Sequence, residues 1–330
     1  MRKKPSGLSL LLLLLSWLLA GPARSELLWH WDDPFSAQEQ RFLKRWLTRT
    51  AEALESWAGP FPFDVHVHLR RRDDASEPVP WANTWRAGEQ SLFFYVDPTY
   101  AADEFYADWT APHEFAHLLL PYLGRDNAWA AEGFASYLQY PLMVQLGVLD
   151  VHEAERRRSR KMDRALSALT DESRSLPENL SVLRKAGAYS TFYWAGAVYW
   201  ERVEARLMDR SLSLRAVLRG FLDCCRNERY TLGELATRLD TVVDQLPPIE
   251  GPRSGVGVQP VLSAPEKSPA PNGQTAAPSR IFREELQRMN RDPGCPPRPE
   301  ALSRPGLRLQ GQATSEISTA AIRLPSSALR

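Results

Sequence analysis

The chain has 330 residues with 41 Lys and Arg against 40 Asp and Glu, so its formal net charge at pH 7 is +1. This balance hides an asymmetry, because residues 26–250 carry 26 basic and 34 acidic side chains. An acidic central region argues against nucleic acid as a partner.

The first 25 residues have the pattern of a secretory signal peptide. Residues 2–4 are basic, and residues 8–19 are apolar but too few to cross a membrane comfortably. We predict cleavage after Ser25, and an uncleaved membrane anchor is the alternative. Since no later run is long and apolar enough to span a membrane, we expect an exported protein without stable membrane insertion. Its expected location is a bacterial periplasm or the medium beyond it.

One helix and three strands are predicted for residues 36–96. Residues 36–57 have apolar positions at helical spacing, and Gly59-Pro60 ends the helix. Residues 63–69 alternate polar and apolar side chains, which indicates a strand. Residues 81–86 and 91–96 predict two more strands, joined by a turn near Gly88. His66 and His68 share a face of the first strand, where a pair of polar side chains needs no metal; a second metal site is the alternative.

The segment His113-Glu114-Phe115-Ala116-His117 is the most informative part of the chain. Thr110 can cap a helix there, Pro112 suits its first turn, and residues 118–120 are expected to continue it. Positions i and i+4 of a helix share a face, so His113 and His117 can direct two imidazoles at one metal ion. Glu114 lies beside them, within reach of a water molecule at that metal.

A second helix is predicted to start near Ala128 and to carry Glu132. Asp126 or Asn127 can cap this helix, and a short turn after Pro121 can make it antiparallel to the first. Glu132 can then supply a third ligand. Two His and one carboxylate with a fourth position open are typical of a catalytic Zn²⁺ site.

These residues resemble the gluzincin metallopeptidases, the aminopeptidase N-like and peptidase MA-like clan. The resemblance rests on HEFAH followed by Trp-Ala-Ala-Glu-Gly-Phe-Ala-Ser-Tyr, residues 129–137, which is similar to the clan's W-x-x-E-G-[FL]-[AT]-x-[YF]. The spacing is closer to the short domains of the glycyl aminopeptidase family. The resemblance covers residues 63–239 and implies an α+β, zincin-like (thermolysin-like) domain, with a small N-terminal sheet followed by a mainly helical lobe. In zincins, an edge strand like residues 91–96, just before the zinc helix, pairs with extended substrate.

The resemblance also implies an oxyanion donor. Residues 192–198 are similar to the Y-x-K-G-[AF] segment, whose Tyr hydrogen-bonds the tetrahedral intermediate, and this Tyr corresponds to Tyr193. Ala195 stands where the clan usually has Lys. Tyr189, one turn earlier, is the alternative donor, and a core aromatic is the alternative role.

One feature of aminopeptidase N-like enzymes has no counterpart in the chain. Their G-x-M-E-N strand, whose Glu binds the substrate's free amine, is missing, and Glu89 is the nearest candidate. Because Glu89 lies beside Gly88 between two predicted strands, a position in the hairpin turn is favoured. Both aminopeptidase-like and endopeptidase action therefore stay open.

The rest of the chain is predicted to be helical and then mostly disordered. Helices are expected at residues 151–169, 189–209, 213–223 and 231–245. Residues 249–330 form a Pro-rich tail that buries too little apolar surface to order itself, apart from a short helix at 280–290. Of the three cysteines, Cys295 could pair with Cys224 or Cys225, or none could pair, and none has the spacing of a zinc ligand.

The predicted organisation is a signal peptide (1–25), a metallopeptidase domain (26–248) and a tail (249–330). The predicted function is an exported Zn²⁺-dependent peptidase acting on peptides or proteins. In it, His113, His117 and Glu132 hold the metal, Glu114 is the general base and Tyr193 stabilises the oxyanion. The alternatives are a catalytically degenerate binding or envelope assembly protein and a zinc hydrolase acting on a non-peptide bond.

Overall fold

The computed structural model describes residues 25–169, 171–247 and 278–294. These residues form a mixed α+β structure, as the sequence predicts, with a small sheet followed by helices. The strands are β1 Leu27–Trp31, β2 Val65–Arg71, β3 Trp81–Trp85 and β4 Gln90–Val96. The helices are α1 Ala37–Ala58, α2 Ala102–Ala107, α3 Thr110–His117, α4 Ala128–Gln145, α5 Val151–Ser167, α6 Leu176–Lys185, α7 Tyr189–Met208, α8 Leu214–Cys224, α9 Leu232–Gln245 and α10 Ile281–Arg291.

The chain divides into two compact units. Of the described residues, the first unit holds those up to Tyr122 together with Leu218–Arg229, and the second holds those in Leu123–Val217 and from Tyr230 onward. None of the described helices is long and apolar enough to cross a membrane.

The sheet belongs to the first unit and has the strand order β1-β2-β4-β3. β2 pairs in parallel with β1 and β4, whereas β3 and β4 form an antiparallel hairpin. The expectation that residues 91–96 form an edge strand is wrong, because β4 lies between two neighbours and β3 is at the edge. The sequence shows both strands but not their order, which depends on the parallel pairing of β4 with β2.

Helix α1 packs on the sheet and begins where its sequence indicates. Ser36 and Glu39 form a capping box, in which each side chain accepts a hydrogen bond from the other residue's backbone N–H. Trp46 is buried with its ring edge-on to Phe94 of β4, at a centroid distance of 5.6 Å. The helix ends at Gly59, whose φ of +100° favours glycine.

Helix α3 differs from its predicted bounds at both ends. Thr110 is the first helical residue instead of the cap, and its N–H donates to the carboxylate of Asp108 at 2.7 Å. Residues 118–120 do not continue the α-helix, because their N–H groups bond three residues back, with Leu120 donating to the His117 carbonyl at 3.2 Å. Such tightening is common in the last turn of a helix.

Three elements are absent from the sequence prediction. β1 depends on pairing with β2, 38 residues later, which periodicity cannot reveal. α2 has only six residues. α6 does carry a local signal, because Ser175 and Glu178 form a capping box around Pro177.

Helix α10, expected as an isolated short helix of the tail, is part of the second unit's core. Phe282 is fully buried, and its carbonyl accepts a hydrogen bond from the Tyr199 hydroxyl at 3.2 Å. Asp240 of α9 accepts bonds from the N–H of Phe282 and from the guanidinium of Arg283. Residues 249–277 and 295–330 of the segment predicted to be disordered, and residues 1–24 of the predicted signal peptide, lie outside the described residues.

Candidate metal centre

His113 and His117 project from α3 in the first unit. Every residue of this helix is buried, and the two His side chains are only 2% and 4% exposed. Their ring centroids are 5.0 Å apart, which confirms that the i, i+4 spacing places both imidazoles on one face. Burial raises the pKa of Asp108, whose carboxylate accepts the N–H at the start of this helix.

Glu114 is buried on the same helix and is held by a residue that sequence reasoning missed. The Thr84 hydroxyl lies 2.6 Å from Oε2 of Glu114, to which it donates, and 3.0 Å from the Glu114 carbonyl oxygen. Thr84 belongs to β3 and points to the face opposite Trp81 and Trp85, because side chains alternate along a strand. The contact fixes the orientation of the carboxylate, since a hydroxyl at this distance leaves it little freedom to rotate.

Two arginines bind the carbonyl end of α3. Arg86 donates to the His117 carbonyl at 3.1 Å, and Nε of Arg226 donates to the Leu118 carbonyl at 2.8 Å. Arg226 also donates to Gln90 and lies over the ring of Phe63. Burial, with a smaller contribution from the charge of Arg86, lowers the pKa of Arg226 to about 9. Positive charge at a helix C-terminus is favourable, so the pair stabilises the helix that carries both histidines.

Glu132 lies on α4 in the second unit, where this helix crosses α7 very closely. The crossing is made by Gly133 and Gly196. A Cβ atom at Gly133 would lie 2.3 Å from the carbonyl carbon of Gly196, and one at Gly196 would lie 2.3 Å from the carbonyl oxygen of Trp129. The indole N–H of Trp200 donates to the carbonyl of Ala130 at 2.7 Å. These contacts fix the turn of α4 that carries Glu132.

One ligand atom from each of His113, His117 and Glu132 lies within 4.8 Å of the others. Among the described residues, no other group of three His, Cys, Asp or Glu side chains has this arrangement. Two imidazoles and one carboxylate fit a Zn²⁺ ion with one position open. These are the same three side chains that the sequence analysis predicts as ligands, and their role as ligands stays a prediction.

Tyr193 and Tyr189, the two candidate oxyanion donors, lie one turn apart on α7. Tyr189 is its first residue and is 54% exposed, whereas Tyr193 is half-buried. Their ring centroids are 6.4 Å apart. Glu89, the candidate for binding a free amine, lies in the β3–β4 turn, as its sequence context predicts.

His66 and His68 belong to a row of three histidines on the sheet. Nε2 of His30 lies 2.9 Å from Nδ1 of His66, and the rings of His30 and His68 stack at 4.3 Å. Burial and the neighbouring histidines lower the pKa of His30. Within the described residues this row does not form a three-ligand group.

Cys224 and Cys225 form a disulfide with each other, at the end of α8 in the first unit. The sequence predicts either a bond to Cys295 or no disulfide, and it does not indicate this pairing of neighbours. Cys295 lies outside the described residues.

Comparisons with known proteins give distant structural likenesses. No protein-family model matches the chain, and the curated proteins give no match. The chain is similar to a mutant of a two-domain M1 zinc metallopeptidase solved with L-arginine, at 15% identity and a TM-score of 0.44, covering 82% of this chain and 49% of that one. It is also similar to a mutant M1 zinc metallopeptidase from Deinococcus radiodurans bound to the substrate Tyr-Ser-Ala, at 18% identity and a TM-score of 0.42, covering 85% and 48%. The chain thus spans about half the length of these proteins.

Proposed function

We propose that the chain is a Zn²⁺-dependent peptidase of the gluzincin type, with a zincin-like, thermolysin-like catalytic domain. The observation that carries the proposal is the group of His113, His117 and Glu132, whose ligand atoms lie within 4.8 Å of one another. The first two ligands lie on the same helix as Glu114, a buried carboxylate of the kind that a general base requires.

Each residue of the proposed site has a separate task. Zn²⁺ at this site would supply Lewis-acid chemistry, activating a water molecule and polarising the scissile carbonyl. Glu114 accepts the proton of the attacking water and delivers it to the leaving amine, which balances the proton transfer. Thr84 holds the Glu114 carboxylate through its hydroxyl. Tyr193 donates a hydrogen bond to the oxyanion that forms on the carbonyl oxygen.

The decisive experiment separates metal binding from hydrolysis. We expect the purified chain to bind one Zn²⁺ and to hydrolyse members of a peptide library in a chelator-sensitive manner. Glu114→Gln keeps the metal but loses hydrolysis by roughly 10²- to 10⁴-fold, because it removes the base and leaves the three ligands. Glu52→Gln, an exposed position on α1, is the matched control and retains activity. Full activity in Glu114→Gln contradicts the mechanism, and a protein unable to bind Zn²⁺ contradicts the whole proposal.

A second pair of variants assigns the oxyanion donor. Tyr193→Phe is expected to lower kcat by roughly 10- to 10³-fold with little change in KM, because the hydrogen bond forms only in the transition state. Tyr189→Phe is the matched variant and is expected to behave like the wild type. The opposite result assigns the role to Tyr189.

A catalytically degenerate binding protein is the competing function. It is favoured by Ala195, which replaces the Lys of the similar segment, and by the missing amine-binding motif. Peptide binding that persists in the chelator, together with no hydrolysis of any library member, would establish it. Peptides with blocked and free amino termini distinguish endopeptidase from aminopeptidase action, and Glu89→Gln tests the nearest candidate for the amine.

We also propose that the protein is exported through its N-terminal signal. The support is the sequence of residues 1–25, with basic residues before an apolar run and small residues at the cleavage position. Cell fractionation and N-terminal sequencing test this proposal, and a cytoplasmic protein that keeps residues 1–25 contradicts it.

A further inference from the structure

The second unit contains a cavity of about 470 Å³ with an aromatic floor and a basic rim. Trp129 and Phe192 are buried and form the floor. Arg125, Arg184 and Lys185 are exposed and line the rim. The remaining lining residues are Asp126, Pro177, Ser181 and Tyr189.

This cavity lies beside residues of the proposed active site. Trp129 is three residues before Glu132 on α4, so the two share a helix face and lie about 4.5 Å apart along the axis. Phe192 directly precedes Tyr193 on α7. Each helix thus places one residue in the cavity floor within one turn of a residue of the proposed active site.

The charge of the rim is opposite to that of the surrounding chain. Three basic side chains and one carboxylate, that of Asp126, line the cavity, whereas residues 26–250 carry an excess of acidic side chains. One base is also fixed in position, because Nη1 of Arg184 donates to the Arg125 carbonyl at 2.8 Å and its guanidinium lies over Phe192. An oriented guanidinium with an amine beside it is suited to binding a carboxylate.

We propose that this cavity is a substrate subsite that binds a carboxylate within a few residues of the scissile bond. The carboxylate is either an Asp or Glu side chain or the free C-terminus of a peptide. The aromatic floor contacts the aliphatic part of the same residue, and the bases bind its charge. The inference rests on the proposed peptidase function and names the substrate class of that site.

The test measures binding and hydrolysis separately. Fluorescent peptides that differ only in Glu or Gln, each with a free or amidated C-terminus, are titrated into chelator-treated full-length protein. The same peptides are then incubated with the zinc-loaded protein. We expect one of the acidic peptides to bind about 3- to 10-fold more tightly than its neutral counterpart, as two exposed charge pairs would give. Raised ionic strength should reduce the difference.

Variants that are expected to lower or to raise the preference for the acidic peptide test whether this cavity causes it. Lys185→Gln and Arg125→Gln each lower the preference for the acidic peptide. The hydrogen bond from the Arg184 side chain survives Arg125→Gln, because its acceptor is the backbone carbonyl of residue 125. Asp126→Asn raises the preference, because it removes the one lining carboxylate. Lys161→Gln, at an exposed position of α5 outside the cavity, is the matched control and leaves the preference unchanged.

The outcomes distinguish the two proposals. Charge-selective binding that the Lys185 and Arg125 variants weaken supports the subsite, even if no peptide is hydrolysed and the peptidase proposal fails. Hydrolysis and binding without charge preference, or a preference that Lys161→Gln alters as much as Lys185→Gln, overturns the subsite while leaving the peptidase proposal intact.

Discussion

Replacing Gly133 by Ala tests whether the close crossing of α4 and α7 positions Glu132, the proposed metal ligand next to Gly133. A methyl group at Gly133 would lie 2.5 Å from the carbonyl oxygen of Gly196 and 2.7 Å from the nitrogen of Ala197. Ordinary contact begins near 3.4 Å, so the helices must move apart by roughly 1 Å. Since both obstacles are backbone atoms, no side-chain rotation relieves the overlap.

The energetic cost follows from this displacement. Overpacking of a tight interface costs about 1–3 kcal/mol, and the separated helices lose part of their dispersion contacts. The higher helix propensity of Ala offsets up to about 1 kcal/mol of this destabilisation. A net loss of about 2 kcal/mol corresponds to a fall in Tm of roughly 4–8 °C for a protein of this size. Because Glu132 moves with its helix, we expect Zn²⁺ binding to weaken at least ~10-fold.

Thermal unfolding and competition with a chelating dye measure the two effects. The matched control is Gly233→Ala on α9, where no atom lies within 4 Å of the added methyl group. That variant is expected to be as stable as the wild type or up to about 1 kcal/mol more stable. Wild-type stability and Zn²⁺ affinity in Gly133→Ala would refute the role assigned to the crossing.

Three further predictions concern the first unit. Thr84→Val is expected to lower kcat more than KM, because the carboxylate of Glu114 loses the hydroxyl donor that orients it; an unchanged kcat would show that the contact is only structural. Arg226→Gln should reduce the free energy of unfolding by about 3 kcal/mol in a denaturant titration, because it leaves a buried carbonyl without its charged donor. Only partial recovery is expected in Arg226→Lys, which cannot reproduce the planar geometry. The hydrogen bond from Arg71 holds the pKa of Glu39 below its usual value of about 4.5. The contribution of ionised Glu39 to the free energy of unfolding is therefore complete above that value, and it is lost as the pH falls through the lower folded pKa. Glu39→Gln should therefore flatten the acid limb of the stability curve, and an equally steep limb would contradict this.

Local rules predicted much of the second unit correctly. The helices at residues 189–209 and 231–245 were placed within one residue of α7 and α9. The first and last predicted residues follow from apolar periodicity and from caps such as Thr231, whose side chain accepts the N–H of Glu234. By contrast, no local pattern shows that α10 belongs to the core. The backbone N–H of Phe282 donates to the carboxylate of Asp240, which lies on another helix.

The proposed metal ligands are the part of the candidate site that the sequence by itself predicts. The HEFAH spacing brings His113, Glu114 and His117 together because a helix repeats every 3.6 residues, and a short turn returns Glu132 in the next helix. Tertiary structure alone decides what supports and surrounds them. Arg226 reaches the Leu118 carbonyl across 108 positions of the chain, and Thr84 reaches Glu114 across 30. Such contacts depend on strand order and helix packing, which no local pattern specifies, and the same is true of the basic cavity beside Glu132.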